Sequence, residues 1–448
     1  MIRGVTVETN TAVRFIRRLK ARYPVVVTVV GGPDVSLTPD LYRPYFDIVF
    51  EGEIGAVDLL EVMAGGGVPA AARDVDPNDE TVAWDLLEGR TYLSGLLQTT
   101  RGCPHRCDFC NIGHLYGRKP RFLRDDVLLR RLEDLARVQR GPVFIGDDNF
   151  GGGVPAAAER ILNVLIRFQR ANGYPFLFIV QAAVDFADHP DIMAKFRAAN
   201  VAGVFLGIES PSVAALQGIG KNPNLGRSLE DRVRTWMKYG MIPILSFILG
   251  LDEEPDDIRT RIQDFIERCG TPFYLVNLIN PIEGSAFRSA AAAEGRLLPD
   301  PVYFEHTLIP MKTRRDYVRV HRDYRDFNAW AFRPGRILGL ARRVLTETRP
   351  VRDPEAFAAF VRRVSLMTLA KLSFVYAVLC LRAGLFRGWL LLGRIPFLPK
   401  AEILDSLVVG GAVMGMRTEM GKLSRRVGRG MIKLEVMNLY PFHKGEFP

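Results

Sequence analysis

Three of the chain's five cysteines fall within eight residues, Cys103-Pro-His-Arg-Cys107-Asp-Phe-Cys110. Thiolates grouped in this way are soft ligands, suited to zinc or to an iron–sulfur centre. The spacing C-x3-C-x2-C fits neither common four-ligand pattern. Zinc ribbons use two C-x2-C pairs, and no second pair follows. A four-thiolate cubane needs one more cysteine. Cys269 and Cys380 are remote in sequence and sit in apolar stretches that suit small buried side chains. His105 lies between two of the ligands, where reaching round to a fourth corner would strain the loop. Three thiolates from one loop can hold three irons of a cubane and leave the fourth open, as a catalytic metal keeps an open position.

The chain of 448 residues has length for two or three domains. A hydrophobic content of 48% and a charged content of 25% are those of a folded protein and exclude a disordered one. The N-terminal residues lack the basic, apolar and small-residue pattern of a secretory signal, so the expectation is a cytoplasmic protein. With that and few cysteines, a disulfide framework is not expected. The net charge of +10 is uneven: residues 301–448 hold 26 Lys and Arg against 12 Asp and Glu, the rest 34 against 38. The basic excess therefore describes what the C-terminal third touches, not its fold.

The elements that must carry the cysteine loop form three zones. Residues 1–88 read as α/β: a helix over 11–23, an apolar β-branched run at 24–34 as a buried parallel strand, a second strand at 46–53, a helix at 56–67 and a linker at 77–89. Residues 89–298 read as six strand-then-helix units. Strands are expected near 93–99, 142–147, 176–181, 202–208, 242–250 and 273–279. Helices are expected near 125–139, 155–171, 189–199, 228–239, 255–268 and 285–295. Parallel strands with such crossovers close into a partial (β/α)6 barrel, and the cysteines then lie at its C-terminal mouth. Residues 299–448 read as a mostly helical, basic domain.

The cysteine loop after a first strand, with βα units behind it, resembles the radical S-adenosylmethionine (SAM) superfamily. That resemblance implies a [4Fe-4S] cluster on Cys103, Cys107 and Cys110. SAM would chelate the open iron, and its reductive cleavage would yield a 5′-deoxyadenosyl radical. An electron donor of flavodoxin or ferredoxin type is implied as well. The likeness continues through "GRKPRFLRDDVLL" (117–129), "VFIGDDNFGGG" (143–153), "VFLGIESPSVAAL" (204–216), "ILSFILGLDEE" (244–254) and "NLINPIEGSAF" (277–287). It implies SAM contacts at Asp147, Asp148 and Asn149, with Gln181 at the same mouth. Glu209 and Ser210 would approach the ribose or carboxylate, and Gly250 the adenine. Arg101 and His105 flank the cluster. A helix-capping role is the plainer reading for any single carboxylate of the 147–149 run.

The set GRKPR, DDNF, GIESP and Lys221-x-x-Asn224 is more narrowly similar to the cobalamin-binding branch that includes hopanoid C-2 methylases. Residues 24–53 look like the second half of its cobalamin domain, which implies Gly31, Gly32, Glu51 and Glu53 beside the corrin. The first half of such a domain is absent, as is any D-x-H-x-x-G. The expectations are therefore a chain that starts late, a partner that completes the sheet, or cobalamin lost. The activity so implied is cobalamin-dependent methylation of an unactivated carbon on a small-molecule or lipid-like substrate. Alternatives are cobalamin-independent radical oxidation or rearrangement, an RNA-modifying enzyme, and a truncated non-catalytic homologue; no recognisable module supports nucleic-acid binding. Val364–Leu381 reads first as a buried helix, next as a peripheral helix on a bilayer and last as a span, because Lys371 is central to it. The Arg, Trp and Phe of 382–400 favour contact with the inner face of a membrane. His306, His321 and His443 have no partner spacing for a metal, and His189 reads as a helix-start residue. Tyr303, Tyr317 and Tyr324 fall in a zone that the resemblance implies borders the substrate, with ordinary packing the plainer reading.

Overall fold

The computed structural model describes residues 2–3, 9–53, 75–80, 82–89, 92, 94–271, 273–298 and 308–331, with five isolated positions beyond. At the N-terminus, β1 (Ile2–Arg3), β2 (Val29–Gly31) and β3 (Ile48–Val49) form a parallel three-stranded sheet in that order. The helix Thr9–Arg22 joins β1 to β2, and Ile16 shares a small core with Val30, Val35, Tyr42 and Phe46. The run at 24–34 forms only a three-residue strand, and Val25 is 92% exposed. Among the described residues β1 and β3 each offer two residues for pairing, so the rest of the run has no partner strand there. The helix expected at 56–67 lies outside the described residues.

The six strands expected next are present, their ends within two residues of the sequence reading. β4 (Gly95–Leu97) precedes a short antiparallel ribbon of β5 (Thr100–Arg101) and β6 (Arg121–Phe122). β7 (Gly141–Ile145), β8 (Phe176–Ala182), β9 (Val201–Glu209), β10 (Ile242–Leu249) and β11 (Phe273–Leu278) complete the set. The sheet order is β11-β10-β9-β8-β7-β4, every pairing parallel, so β4 and β11 are its edges. This is the partial barrel. Its helices start where capping residues allow: Ser212, Ser228 and Ser285 each accept from an amide three residues on. Phe196 packs against Phe150, Phe186 and Trp236 at 5.2, 5.8 and 5.0 Å between ring centroids, inside one continuous apolar core.

The stretch read as a linker is held against the barrel in its first part. Asn78 Nδ2 donates to Phe122 O at 3.1 Å, Arg124 N donates to Asn78 Oδ1 at 2.7 Å, and Arg131 donates to the carbonyls of Pro77 and Glu80. At the other end, Ala331 O of the helix Tyr317–Ala331 accepts a hydrogen bond from Tyr274 on β11. The segments at 364–381 and 382–400, with Cys380, Tyr303, His306 and His443, lie outside the described residues. Among the described residues no helix is long and apolar enough to cross a membrane.

Candidate active site

The loop from Gly102 to Pro120 leaves β5 and returns on β6. Its three cysteines are partly exposed and free of disulfides. The back of the loop is tied to the barrel. Asp108 N donates to Ile219 O and Phe287 N to Asp108 O, both at 2.9 Å, while Asn111 Nδ2 donates to Glu283 O at 3.3 Å. Among the described residues no three His, Cys, Asp or Glu side chains gather closely enough for one metal ion. The donor chemistry fits a cluster whose corners are gripped separately.

Lys221 and Glu209 flank the loop. Lys221 Nζ donates to Glu209 Oε1, with the two side chains 19% and 7% exposed, and stands over the Phe109 ring at 5.8 Å. Burial works against the ammonium charge, but Glu209, Cys107 and Cys110 outweigh it and raise the lysine's pKa. Burial likewise raises all three thiols, Cys107 to about 11, with Lys221 pulling the other way. Asn224 holds the end of β9 by donating to the carbonyls of Gly207 and Ile208 at 2.9 and 2.8 Å. A methyl group at Gly207 would run into Glu209 Oε1 and come within 3.1 Å of Lys221 Nζ, so glycine there makes room for the pair.

The other candidate residues divide. Asp147 is buried. Its Oδ1 accepts from Thr99 N and Thr100 N at 2.6 and 2.9 Å, and its Oδ2 from the Thr99 hydroxyl. Burial raises its pKa to about 6. Asp148 accepts from Gly102 N at 2.9 Å, directly before Cys103. Asn149 accepts from Ala183 N at 3.0 Å, and its side chain reaches the Cys103 thiol. Gln181 is exposed at the end of β8 and donates to Asp148 O. Ser210 is buried, its hydroxyl accepting from Ser212 N. Gly250 donates to Glu254 Oε2, and its Cβ direction is filled by Ile279, Ile309 and Val320. His105 Nε2 is buried without a hydrogen-bond partner, an orphan polar atom at the edge of the loop. Arg101 is engaged by Glu53 and Glu80.

Below the loop opens a cavity of about 520 Å³. Mostly alternate residues of the strands line it: Phe205, Gly207 and Glu209 from β9, Ser246 and Ile248 from β10, Leu275 and Asn277 from β11, joined by Leu206 and Leu278. Phe109, directly before Cys110, brings the loop to the cavity wall, and Tyr324 lines it as well as packing. Phe109 was not legible as cavity lining, since nothing local in the sequence distinguishes a wall residue from a core one.

The three N-terminal candidates lie at the ends of the small sheet. Gly31 closes β2, and Gly32, at φ 122°, opens the short helix Pro33–Leu37. Ser36 Oγ bridges the two strand ends, donating to Gly32 O and accepting from Gly52 N. Glu51 is exposed and paired with Arg43.

A protein-family model described as "Radical SAM superfamily" matches residues 97–266, the span from β4 into the helix before β11. The chain carries a radical SAM domain. It is similar to the hopanoid C-2 methylase of Rhodopseudomonas palustris, 33% identical over 282 residues, 60% of this chain and 53% of that one. The chain thus spans about half the length of the curated relatives it matches. Among solved structures it is similar to OxsB, a cobalamin-dependent SAM radical enzyme, with a TM-score of 0.55 and 14% identity over 99% of this chain and 73% of that one. TsrM from Kitasatospora setae, a radical SAM methyltransferase solved with cobalamin and a [4Fe-4S] cluster, gives a TM-score of 0.53 and 16% identity over 66% and 64%. At these identities the two solved structures speak for the radical SAM fold.

Proposed function

We propose that the chain is a radical SAM methyltransferase in which Cys103, Cys107 and Cys110 hold a [4Fe-4S] cluster whose open corner takes SAM. One observation carries this reading: three free thiols on one pinned loop, beside a buried Lys221–Glu209 pair, over a cavity lined mostly by alternate strand residues. The chemistry supplied by cluster and SAM is reductive cleavage to a 5′-deoxyadenosyl radical, which takes hydrogen from an unactivated carbon. The chain's own part is positioning and exclusion. Asp148 and Asn149 anchor the loop around Cys103, and Lys221 offsets the negative charge of the thiolates. The apolar wall of Phe205, Ile248, Leu275 and Leu278 suits a hydrophobic small molecule and shields a radical from water. Gln181, Asn277 and Asn280 supply the few polar contacts that orient it. An electron donor of flavodoxin or ferredoxin type supplies the electron.

Methyl transfer through cobalamin is the proposed outcome, with Gly31, Gly32 and Glu51 on the corrin side. The alternative of a cobalamin-independent reaction draws on the small sheet, whose strands run to two or three residues. Anaerobic reconstitution of the full chain with iron and sulfide tests the core of the reading. The expected result is a dithionite-reduced EPR signal that changes on adding SAM, lost in Cys103→Ala, Cys107→Ala or Cys110→Ala and kept in Cys269→Ala. Zinc in place of iron, or a spectrum indifferent to SAM, overturns it.

A further inference from the structure

Two arginines face each other at the neck of the cysteine loop. Arg101 on β5 and Arg121 on β6 are direct register partners. Like charges opposite each other destabilise an antiparallel pair, and here the ribbon is only two residues long. The pairing persists because both side chains converge on Glu53. Arg101 Nη1 donates to Glu53 Oε1 at 3.1 Å; Arg121 donates from Nη1 to Oε2 at 2.6 Å and from Nη2 to Oε1 at 2.9 Å. The Glu53 side chain is 9% exposed and the two arginines 13% and 19%. Glu80 reaches Arg101 alone and is 29% exposed. One carboxylate from the end of the N-terminal sheet therefore offsets the repulsion at the point where the cysteine loop leaves and rejoins the barrel.

We propose that Glu53 is a positioning residue: a latch through which the N-terminal segment closes the neck of the Gly102–Pro120 loop and fixes the spacing of Cys103, Cys107 and Cys110. This rests on the reading of those cysteines as cluster ligands. The sequence alone assigns Glu53 to a cofactor loop. The structure gives its carboxylate to two guanidiniums instead, so the N-terminal segment acts on the cluster site directly, through its own side chain. Removing the charge from Glu53 leaves Arg121 with no carboxylate partner among the described residues and Arg101 with Glu80 alone, two part-buried cations opposed with less to offset them. Removing Arg121 in the same chain relieves the opposition.

The test uses the full chain without metal, followed by the same chain reconstituted with iron and sulfide. Hydrogen exchange is read at the neck amides of 100–101 and 121–122 and, as a folding control, across β8 to β10. In Glu53→Gln the neck is expected to exchange about tenfold faster or more while the control strands stay at parent rates. Iron retained after desalting falls in parallel. Glu80→Gln moves both readouts less, and Glu53→Asp recovers part of each. Adding Arg121→Gln to Glu53→Gln returns neck exchange toward the parent rate. The proposal is overturned if Glu53→Gln exchanges at the neck as the parent does, or if Arg121→Gln worsens the defect. A parent chain that retains no iron sinks the cluster reading, while neck exchange still decides the latch. Should Glu53→Gln not fold, Glu53→Asp and the double variant carry the same comparison.

Discussion

Lys221 Nζ lies 2.9 Å from Glu209 Oε1, and Glu209 holds that position from a left-handed backbone at φ 61°. A non-glycine residue kept in that region stores strain, which surrounding contacts must over-determine. Asn224 supplies two of those contacts and the ion pair a third. Lys221→Met is expected to leave Glu209 as an uncompensated buried charge and to destabilise the metal-free chain by roughly 3–5 kcal/mol in urea unfolding. Lys221→Met with Glu209→Met should recover much of that loss, because removing both charges avoids the unpaired one. Additive losses in the double variant would show the pair to be uncoupled.

Gly153 stands at φ 68°, and a methyl group there would come within 2.5 Å of Asn149 Nδ2 and 2.9 Å of His105 Nε2. Gly153→Ala therefore meets both a backbone and a packing penalty, about 1–3 kcal/mol together. The displaced Asn149 also loses its hold near Cys103. The expected result is a lower unfolding midpoint and less iron per chain after reconstitution. A midpoint equal to the parent's would show that the loop relaxes freely.

Asp147 ties the end of β4 by accepting from Thr99 and Thr100. If it serves the scaffold, Asp147→Ala costs stability before any ligand is present, because the amides of Thr99 and Thr100 then lose their acceptor. The loss should be about 1–3 kcal/mol in the metal-free chain. Unchanged metal-free stability, with weaker SAM binding, would return Asp147 to the ligand-binding role first expected of it.

Much of the barrel was legible because its signals are local. Apolar β-branched runs and helical periodicity fix strands and helices without reference to distant residues. The cysteine loop was legible because its three cysteines lie in one short segment. The N-terminal run at 24–34 misled because strand length is set by partners, and among the described residues β1 and β3 are too short to pair with all of it. Asp147 stays open to two roles for a related reason. A carboxylate at a strand end reads the same whether it faces a ligand or the amides of a neighbouring strand. The resemblance implies a place beside a corrin for Glu53, while the partners it pairs with lie 48 and 68 residues away. Long-range charge pairing leaves no mark in a single sequence.

His321 carries the pH dependence that can be derived most directly. It is fully buried, and Nδ1 sits 2.8 Å from Tyr317 O, which can only accept, so Nδ1 bears the proton. Nε2 accepts from Ile309 N at 3.3 Å. Protonating Nε2 would set two N–H groups against each other, and burial lowers the ring's pKa to about 4. An unfolded histidine titrates near its ordinary value of about 6.5, so below that pH the unfolded chain binds a proton that the folded chain refuses. His321 therefore contributes full stability above about pH 6.5 and loses it progressively as pH falls toward 4, by roughly 3 kcal/mol in all. In His321→Gln, the amide nitrogen can donate to Tyr317 O and the amide oxygen accept from Ile309 N without titrating. Urea unfolding of both chains between about pH 7 and pH 4, values set by that window, should show a shallower decline in the variant. Parallel declines would mean that His321 is accessible to protons in the folded state and that the acid sensitivity of the chain lies elsewhere.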